Sequence, residues 1–169
     1  LSGSSPYHMA TQSYTNGDRL YLATGGLTSS ATYVAYVWQE RPGYSKFGKY
    51  DSNESDNGPF VYLGFRPAWI LLKSIGNIFG GGSPFSGNWY IIDTSRDIDN
   101  PTTGTLAPPT DSGEDTAWPA SGLLDILSNG FKVRTSSLAL NATLSGSFIY
   151  MAFAEQPGTT PFETFPNPR

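Results

Sequence analysis

The sequence contains no cysteine and a single histidine, His8. Without cysteine the chain forms neither disulfides nor thiolate metal sites. A Ser-His-Asp triad would have to use His8, which lies in a polar N-terminal segment where nothing would orient the imidazole. Long hydrophobic runs are also missing, so insertion of a membrane-spanning helix is not expected.

Charged residues are scarce, at 14% of the chain, with 10 Lys and Arg against 14 Asp and Glu. The formal net charge of −4 and the lack of a basic cluster argue against nucleic acid as a partner. Aromatic residues, in contrast, make up 14% of the chain, beside 19 Gly and 13 Pro. This composition is too aromatic for a disordered chain and is typical of many short strands joined by turns.

No window of the sequence shows a sustained 3.6-residue apolar period, so little or no helix is expected. Short runs rich in β-branched and aromatic residues predict strands instead. The predicted strands are 19–22, 32–39, 60–65, 69–73, 88–93, 131–134 and 147–154. We therefore predict an all-β fold, an antiparallel β-sandwich that is jelly-roll-like and follows an extended N-terminal arm or half-repeat.

The chain repeats part of itself. Tyr33–Gly43 matches Phe148–Gly158 in its apolar and aromatic positions, and both segments end in Glu-x-Pro-Gly. The alternative is that two buried strands look alike for packing reasons alone. The repeat predicts an arm and the closing strands of one unit over residues 1–50, a complete sandwich repeat over 51–158 and an extended Pro-rich tail over 159–169. Because a half unit would leave strand edges unpaired, we expect a homo-oligomer.

Several segments occur in an order that resembles a known family. They are Tyr44–Gly48, Gly58–Lys73, Asn88–Asp93, Leu127–Lys132 and Ile149–Glu155. Together they resemble a repeat of bacteriophage structural proteins, tail-fibre-like or virion-surface proteins that often accompany concanavalin-like sandwich domains. The resemblance covers about residues 30–158 and carries no catalytic residue. Two loops, 78–87 and 102–119, are longer than the family pattern, and variable loops on a fixed sandwich are where binding specificity changes.

The resemblance implies a virion structural or surface-display protein, in a fibre, a tail or a capsid decoration, located at the virion surface and extracellular after assembly. Other virion proteins are the implied partners, and recognition of a host-surface glycan is a second expected duty. Two alternatives stay open. One is a polysaccharide-degrading enzyme of a phage particle, and the other is a bacterial adhesin or surface-filament module.

Sugar binding needs exposed aromatic rings beside polar groups. Trp118, in the long proline-rich stretch 94–122, is the leading candidate, followed by Tyr44, Tyr50 and Phe85. The alternative for Trp118 is that it pins its loop or fills a subunit interface. The other tryptophans lie within predicted strands and are expected in the core, namely Trp38, Trp69 and Trp89.

Catalysis by a glycosidase would need two acids, which lie about 5–5.5 Å apart in a retaining enzyme. The acidic candidates are Asp93, Asp97, Asp99, Asp111, Glu114 and Asp115. Loop acids are usually solvated, so no enzyme and no catalytic residue are predicted.

No cofactor is predicted, although one segment resembles a metal-binding loop. Asp51, Asn53 and Asp56 are spaced like the first ligands of a calcium loop, but no bidentate acid follows them. An Asx-rich turn accounts for the same residues without metal.

Two further motifs receive structural interpretations. Pro67 cannot donate to a strand ladder, so it marks a strand break, and the adjacent Arg66 is expected to pair with Asp93 or Glu155. The Asn-Ala-Thr motif at Asn141 matches a glycosylation sequon, which would stay unmodified in a phage protein made in bacteria.

Overall fold

The computed structural model describes residues 14–16, 19–21, 32, 38–75, 89–108, 113–114, 122–136, 140–141 and 146–155. The chain divides into two compact units, Leu1–Trp38 and Gln39–Arg169. In the first unit, β1 (Tyr14–Asn16) and β2 (Arg19–Tyr21) form an antiparallel hairpin. The strand predicted at 19–22 thus corresponds to β2.

The second unit consists of two antiparallel sheets. Its strands are β3 (Ser45–Asp51), β4 (Phe60–Tyr62), β5 (Pro67–Ile75), β6 (Trp89–Asp93), β7 (Leu124–Leu127), β8 (Gly130–Val133) and β9 (Ser147–Ala154). One sheet has the order β3-β9-β5-β6 and the other has the order β4-β8-β7. No helix occurs in the described residues. The all-β, antiparallel prediction is confirmed and the architecture is compatible with a sandwich, while the jelly-roll topology stays a prediction.

Aromatic rings from both sheets fill the core. The ring of Phe131, on β8, makes edge contacts with Tyr50 and Tyr150, which belong to the other sheet, at centroid distances of 6.1 and 5.8 Å. Phe131 has no exposed surface, and each of the two tyrosines is buried. Burying rings of this size supplies much of the hydrophobic stabilisation of a small sandwich.

β9 corresponds to the strand predicted at 147–154 and is an inner strand of its sheet. It lies between β3 and β5 and pairs antiparallel with both. Its burial alternates, because Phe148, Tyr150 and Ala152 face the core whereas the residues between them are half-buried. Alternation of this kind places one side of a strand in the core and the other outside it.

The long stretch 94–122 is ordered over the part that the structure describes. Leu106 pairs with Ile91 of β6, and Thr102 pairs with Leu124 of β7. Next to Thr102, the side-chain amide of Asn100 exchanges two hydrogen bonds with the backbone of Ile126, at 3.0 and 2.8 Å. This segment therefore runs along the free edges of both sheets and joins them.

The N-terminal copy of the repeated strand differs from its prediction. Residues 33–37 lie outside the described residues, and Trp38–Glu40 is not part of a strand. Trp38 is 51% exposed, so its placement in the core was wrong. An apolar sequence pattern by itself therefore does not decide whether this end of the segment is buried.

Strand pairing also determines where the sandwich and its strands begin. β3 pairs with β9 along its whole length, so the sandwich extends N-terminal to the predicted repeat start at residue 51. Pro67 is the first residue of β5, where a missing N–H is tolerated, and a register shift follows it. Trp69 and Trp89 lie in strands as predicted, but both are half-buried and neither belongs to the buried core in which they were expected.

Candidate functional site

Two aromatic rings project from the edge strand β4. Phe60 is 47% exposed and Tyr62 is 59% exposed, whereas Val61 between them is only 7% exposed. Because side chains alternate along a strand, Phe60 and Tyr62 lie on one outward side and Val61 lies in the core. Two large exposed rings side by side on a rigid sheet are a candidate binding surface.

The strand next to β4 supplies the neighbours of these rings. Lys132 lies directly opposite Phe60, and Gly130 lies directly opposite Tyr62. A Cβ at Gly130 would collide with the carbonyl oxygen of Val61, so this position needs glycine.

Positive charge surrounds the two rings. The Lys46 Nζ donates to the Tyr62 carbonyl oxygen at 2.9 Å and lies 5.3 Å from the centroid of the Tyr62 ring. The Lys132 Nζ donates to the Gly58 carbonyl oxygen at 2.8 Å. Asp125 on β7 is the register partner of Lys132 on β8. The Asp125 carboxylate lies 3.5 Å from the Arg134 guanidinium.

We call this surface the aromatic face and define it by its residues. They are Lys46, Phe60, Tyr62, Asp125, Lys132 and Arg134. The rings offer stacking surfaces and the ammonium groups offer hydrogen bonds and charge. The face contains one carboxylate and no nucleophile with an adjacent base, so its chemistry is suited to binding.

The aromatic face was missed from the sequence. Phe60-Val61-Tyr62 consists of three consecutive apolar residues, a pattern that also fits a strand buried on both sides. The two rings are exposed because they lie on the side of β4 that faces away from the core, which is decided by tertiary packing.

A shallow cavity of about 250 Å³ lies where β5 begins and β9 ends. Its lining residues are Gly43, Phe65, Arg66, Pro67, Ala68, Thr94, Ala154 and Glu155. The predicted pairing of Arg66 with Asp93 is wrong, because Asp93 binds Arg96 at 2.9 Å and Arg66 donates to the Ile126 carbonyl at 3.3 Å. Arg66 and Glu155 share the cavity wall, although no ion pair joins them among the described residues.

Of the four sugar-binding candidates from the sequence, the structure describes Tyr44 and Tyr50. Tyr50 is 7% exposed, and its hydroxyl donates to the Leu140 carbonyl at 2.7 Å, so its ring cannot stack on a sugar. Tyr44 is half-buried, with its ring at an edge contact of 5.9 Å to Phe153. Phe85 and Trp118 lie outside the described residues.

The three calcium candidates each make separate hydrogen bonds. Asp51 accepts from the Ser147 hydroxyl, and Asp56 accepts from the Ser136 N–H at 2.7 Å. The Asn53 Oδ1 accepts from the N–H of Ser55 at 3.2 Å, which is the Asx turn of the alternative interpretation. In the described part of the chain, no group of three acidic, histidine or cysteine side chains could hold a metal.

The described acids of the 93–114 region stabilise loops. Arg96 contacts the carboxylates of Asp93 at 2.9 Å and Glu114 at 3.6 Å. Asp97 accepts hydrogen bonds from the Thr103 and Gly104 backbone, and the Thr103 N–H is the main cause of its lowered pKa. A general acid needs a raised pKa, so Asp97 is poorly suited to that role.

Asp99 is exposed, while Asp111 and Asp115 lie outside the described residues. The sequon residue Asn141 has no exposed surface. Its Nδ2 donates to Asn53 and Ser55 at 2.9 and 2.8 Å, so the amide that a glycan would modify is already bonded inside the fold.

Together, these features define an all-β protein whose second unit, over the described residues, has two antiparallel sheets and an exposed aromatic face. Residues 3–157 match the model of the domain of unknown function DUF7483, and the chain belongs to that family. No curated protein and no solved structure matches the chain. Within the described residues, no helix has the length and apolar character to cross a membrane.

Proposed function

We propose that this chain is a structural display module at the surface of a bacteriophage particle, in a fibre, a tail or a capsid decoration. The support is the position of the segments that resemble phage structural repeats. All of them overlap strands, namely β3, β4 with β5, β6, β7 with β8, and β9. The resemblance therefore lies in the strands of the fold, as expected for modules that share an architecture.

The same module binds a glycan of the host surface, and the aromatic face is its contact. The observation that carries this proposal is the exposure of Phe60 and Tyr62 on one side of β4. Sugar rings stack on aromatic faces, while nearby charged and polar groups bond their hydroxyls. A sheet also holds both rings in place, so little ordering entropy is lost when a ligand binds.

Two experiments test this function. Mass spectrometry of purified phage particles whose genome encodes this chain should detect it as a stoichiometric component, and its absence would overturn the virion role. For glycan binding, the purified protein is incubated with the capsular polysaccharide of the phage host. The double variant F60A/Y62A should lose retention, whereas Ile98→Ala, at another exposed apolar residue (80% exposed), should not.

The same incubation separates binding from degradation. A display module leaves the length distribution of the polysaccharide unchanged in size-exclusion chromatography, whereas a depolymerase shortens it. Light scattering of the full chain tests the proposed homo-oligomer, and a clean monomer at micromolar concentration would contradict it.

A further inference from the structure

We propose that the aromatic face selects acidic polysaccharides that bear carboxylate groups, with Lys132 and Lys46 as the residues that determine this specificity. The inference rests on the glycan binding proposed above and names the class of glycan. It follows from the positions of the cations relative to the two exposed rings.

The two lysines lie close to different rings. Lys132 is the cross-strand partner of Phe60, which places their Cβ atoms about 4.5–5.5 Å apart. Lys46 comes from the other sheet and places its Nζ 5.3 Å from the centroid of Tyr62. Since residues two apart on a strand are separated by about 6.6 Å, a chain of sugar rings that stacks on both aromatics meets an ammonium group beside each.

Both ammonium groups retain bonding capacity. Each donates one hydrogen bond to a backbone carbonyl, that of Tyr62 for Lys46 and that of Gly58 for Lys132. A lysine ammonium has three donors, so further N–H groups remain for a carboxylate. The carbonyl bonds also restrain the two side chains near the rings.

The charge of the face is opposite to that of the chain. The face carries three cations, Lys46, Lys132 and Arg134, and one carboxylate, that of Asp125. The Asp125 carboxylate lies 3.5 Å from Arg134. The whole sequence, by comparison, carries a formal net charge of −4. A local excess of cations on an acidic protein directs an anionic ligand to this face and away from the rest of the surface.

Single-stranded nucleic acid also combines negative charge with stackable rings. It is the less favoured ligand, because the chain has no basic stripe to follow a continuous phosphate backbone and its isoelectric point is about 4.8.

Lys46 also has a role in the free protein, since a lysine beside an edge strand hinders strand addition. That role does not account for Lys132, which is opposite Phe60 on the inner strand of the sheet.

The test compares two polymers that differ only in charge, polygalacturonate and its fully methyl-esterified form. Calorimetry at low ionic strength should show at least about tenfold tighter binding to the carboxylate polymer, and this preference should shrink as salt screens the charges. Lys132→Gln and Lys46→Gln should each weaken polygalacturonate binding about fivefold and leave binding of the ester unchanged. The matched control is Lys49→Gln, an exposed lysine of β3 that should bind like the wild type.

The outcomes separate this inference from the proposed function. Equal affinity for both polymers, with no effect of Lys132→Gln, would overturn the selection of acidic glycans and leave glycan binding intact. No wild-type binding to either polymer, together with no retention by host capsule, would overturn both. Binding of oligo-dT as tight as that of polygalacturonate would overturn the carboxylate class. Thermal melts of each variant exclude loss of folding as the cause.

Discussion

The ring of Tyr50 lies parallel to the ring of Phe148, with centroids 5.2 Å apart and an interplanar angle of 9°. Tyr50 belongs to β3 and Phe148 to β9, and the two residues are register partners. The sequence pattern made Tyr50 a sugar-binding candidate and placed Phe148 in the predicted strand 147–154. Pairing with β9 places both rings in the core.

Replacing the hydroxyl of Tyr50 tests its buried hydrogen bond. Tyr50→Phe should lower the free energy of unfolding by about 1–2 kcal/mol, because the Leu140 carbonyl loses its donor. Tyr62→Phe, at an exposed ring, should change it by less than about 0.5 kcal/mol. Denaturant unfolding measures both changes in the free energy of unfolding, and equal changes for the two variants would contradict the buried hydrogen bond of Tyr50.

Burial also predicts how Tyr50 responds to alkali. Desolvation raises the pKa of its phenol well above the usual value of about 10. The unfolded chain therefore releases this proton first, so stability is complete below about pH 10 and falls as the pH rises further. In a spectrophotometric titration, Tyr50 should ionise only when the fold is lost, and the Tyr50→Phe variant should show one tyrosine fewer ionising at that point.

Asn141 holds the loop after β3 through three hydrogen bonds. Its Nδ2 donates to Asn53 and Ser55, and its Oδ1 accepts from the Asn53 N–H at 2.8 Å. Asn141→Ala should cost at least about 2 kcal/mol of unfolding free energy, because buried polar groups lose their partners. Asn57→Ala, at an exposed asparagine of the same loop, is the control and should be nearly neutral in chemical denaturation.

Two glycines make a matched pair for testing the hairpin beside the aromatic face. A Cβ at Gly130 would meet the carbonyl oxygen of Val61, whereas a Cβ at Gly113 would meet nothing within 4 Å. Gly130→Ala should therefore separate β4 from β8 and lower the melting temperature by several degrees, at about 2–4 °C per kcal/mol for a chain of this length. Gly113→Ala should leave it unchanged, and similar melting temperatures for the two variants would contradict the close approach.

Asp97 should contribute to stability at neutral pH and lose this contribution in acid. Its pKa is lowered, chiefly by the Thr103 N–H, so the unfolded chain binds a proton at a higher pH than the folded chain does. The contribution is present above about pH 3.9 and falls as the pH drops below this value. Asp97→Asn should flatten this acid limb in pH-dependent denaturation, whereas Asp99→Asn, in the same exposed loop, should preserve it.

Sequence pattern predicted most strands of the sandwich because their residues alternate or cluster in ways that depend on local chemistry. β6 and β9 were placed within about one residue, and the strand predicted at 131–134 overlaps β8. The pattern was wrong for Trp38, and it did not separate β4 from a buried strand. In both cases exposure depends on whether a partner covers the strand, and local residues do not encode that.

The sequence by itself determined that this protein is all-β, poor in charge and built on short aromatic strands, because these properties follow from composition and periodicity. Only the tertiary structure decided which rings are accessible. It buried Tyr50 against Phe148 and left Phe60 and Tyr62 outside, beside Lys132 of a neighbouring strand and Lys46 of the other sheet. The physical reason is that a binding face joins residues from several strands, and strand order and register bring them together only when the two sheets form.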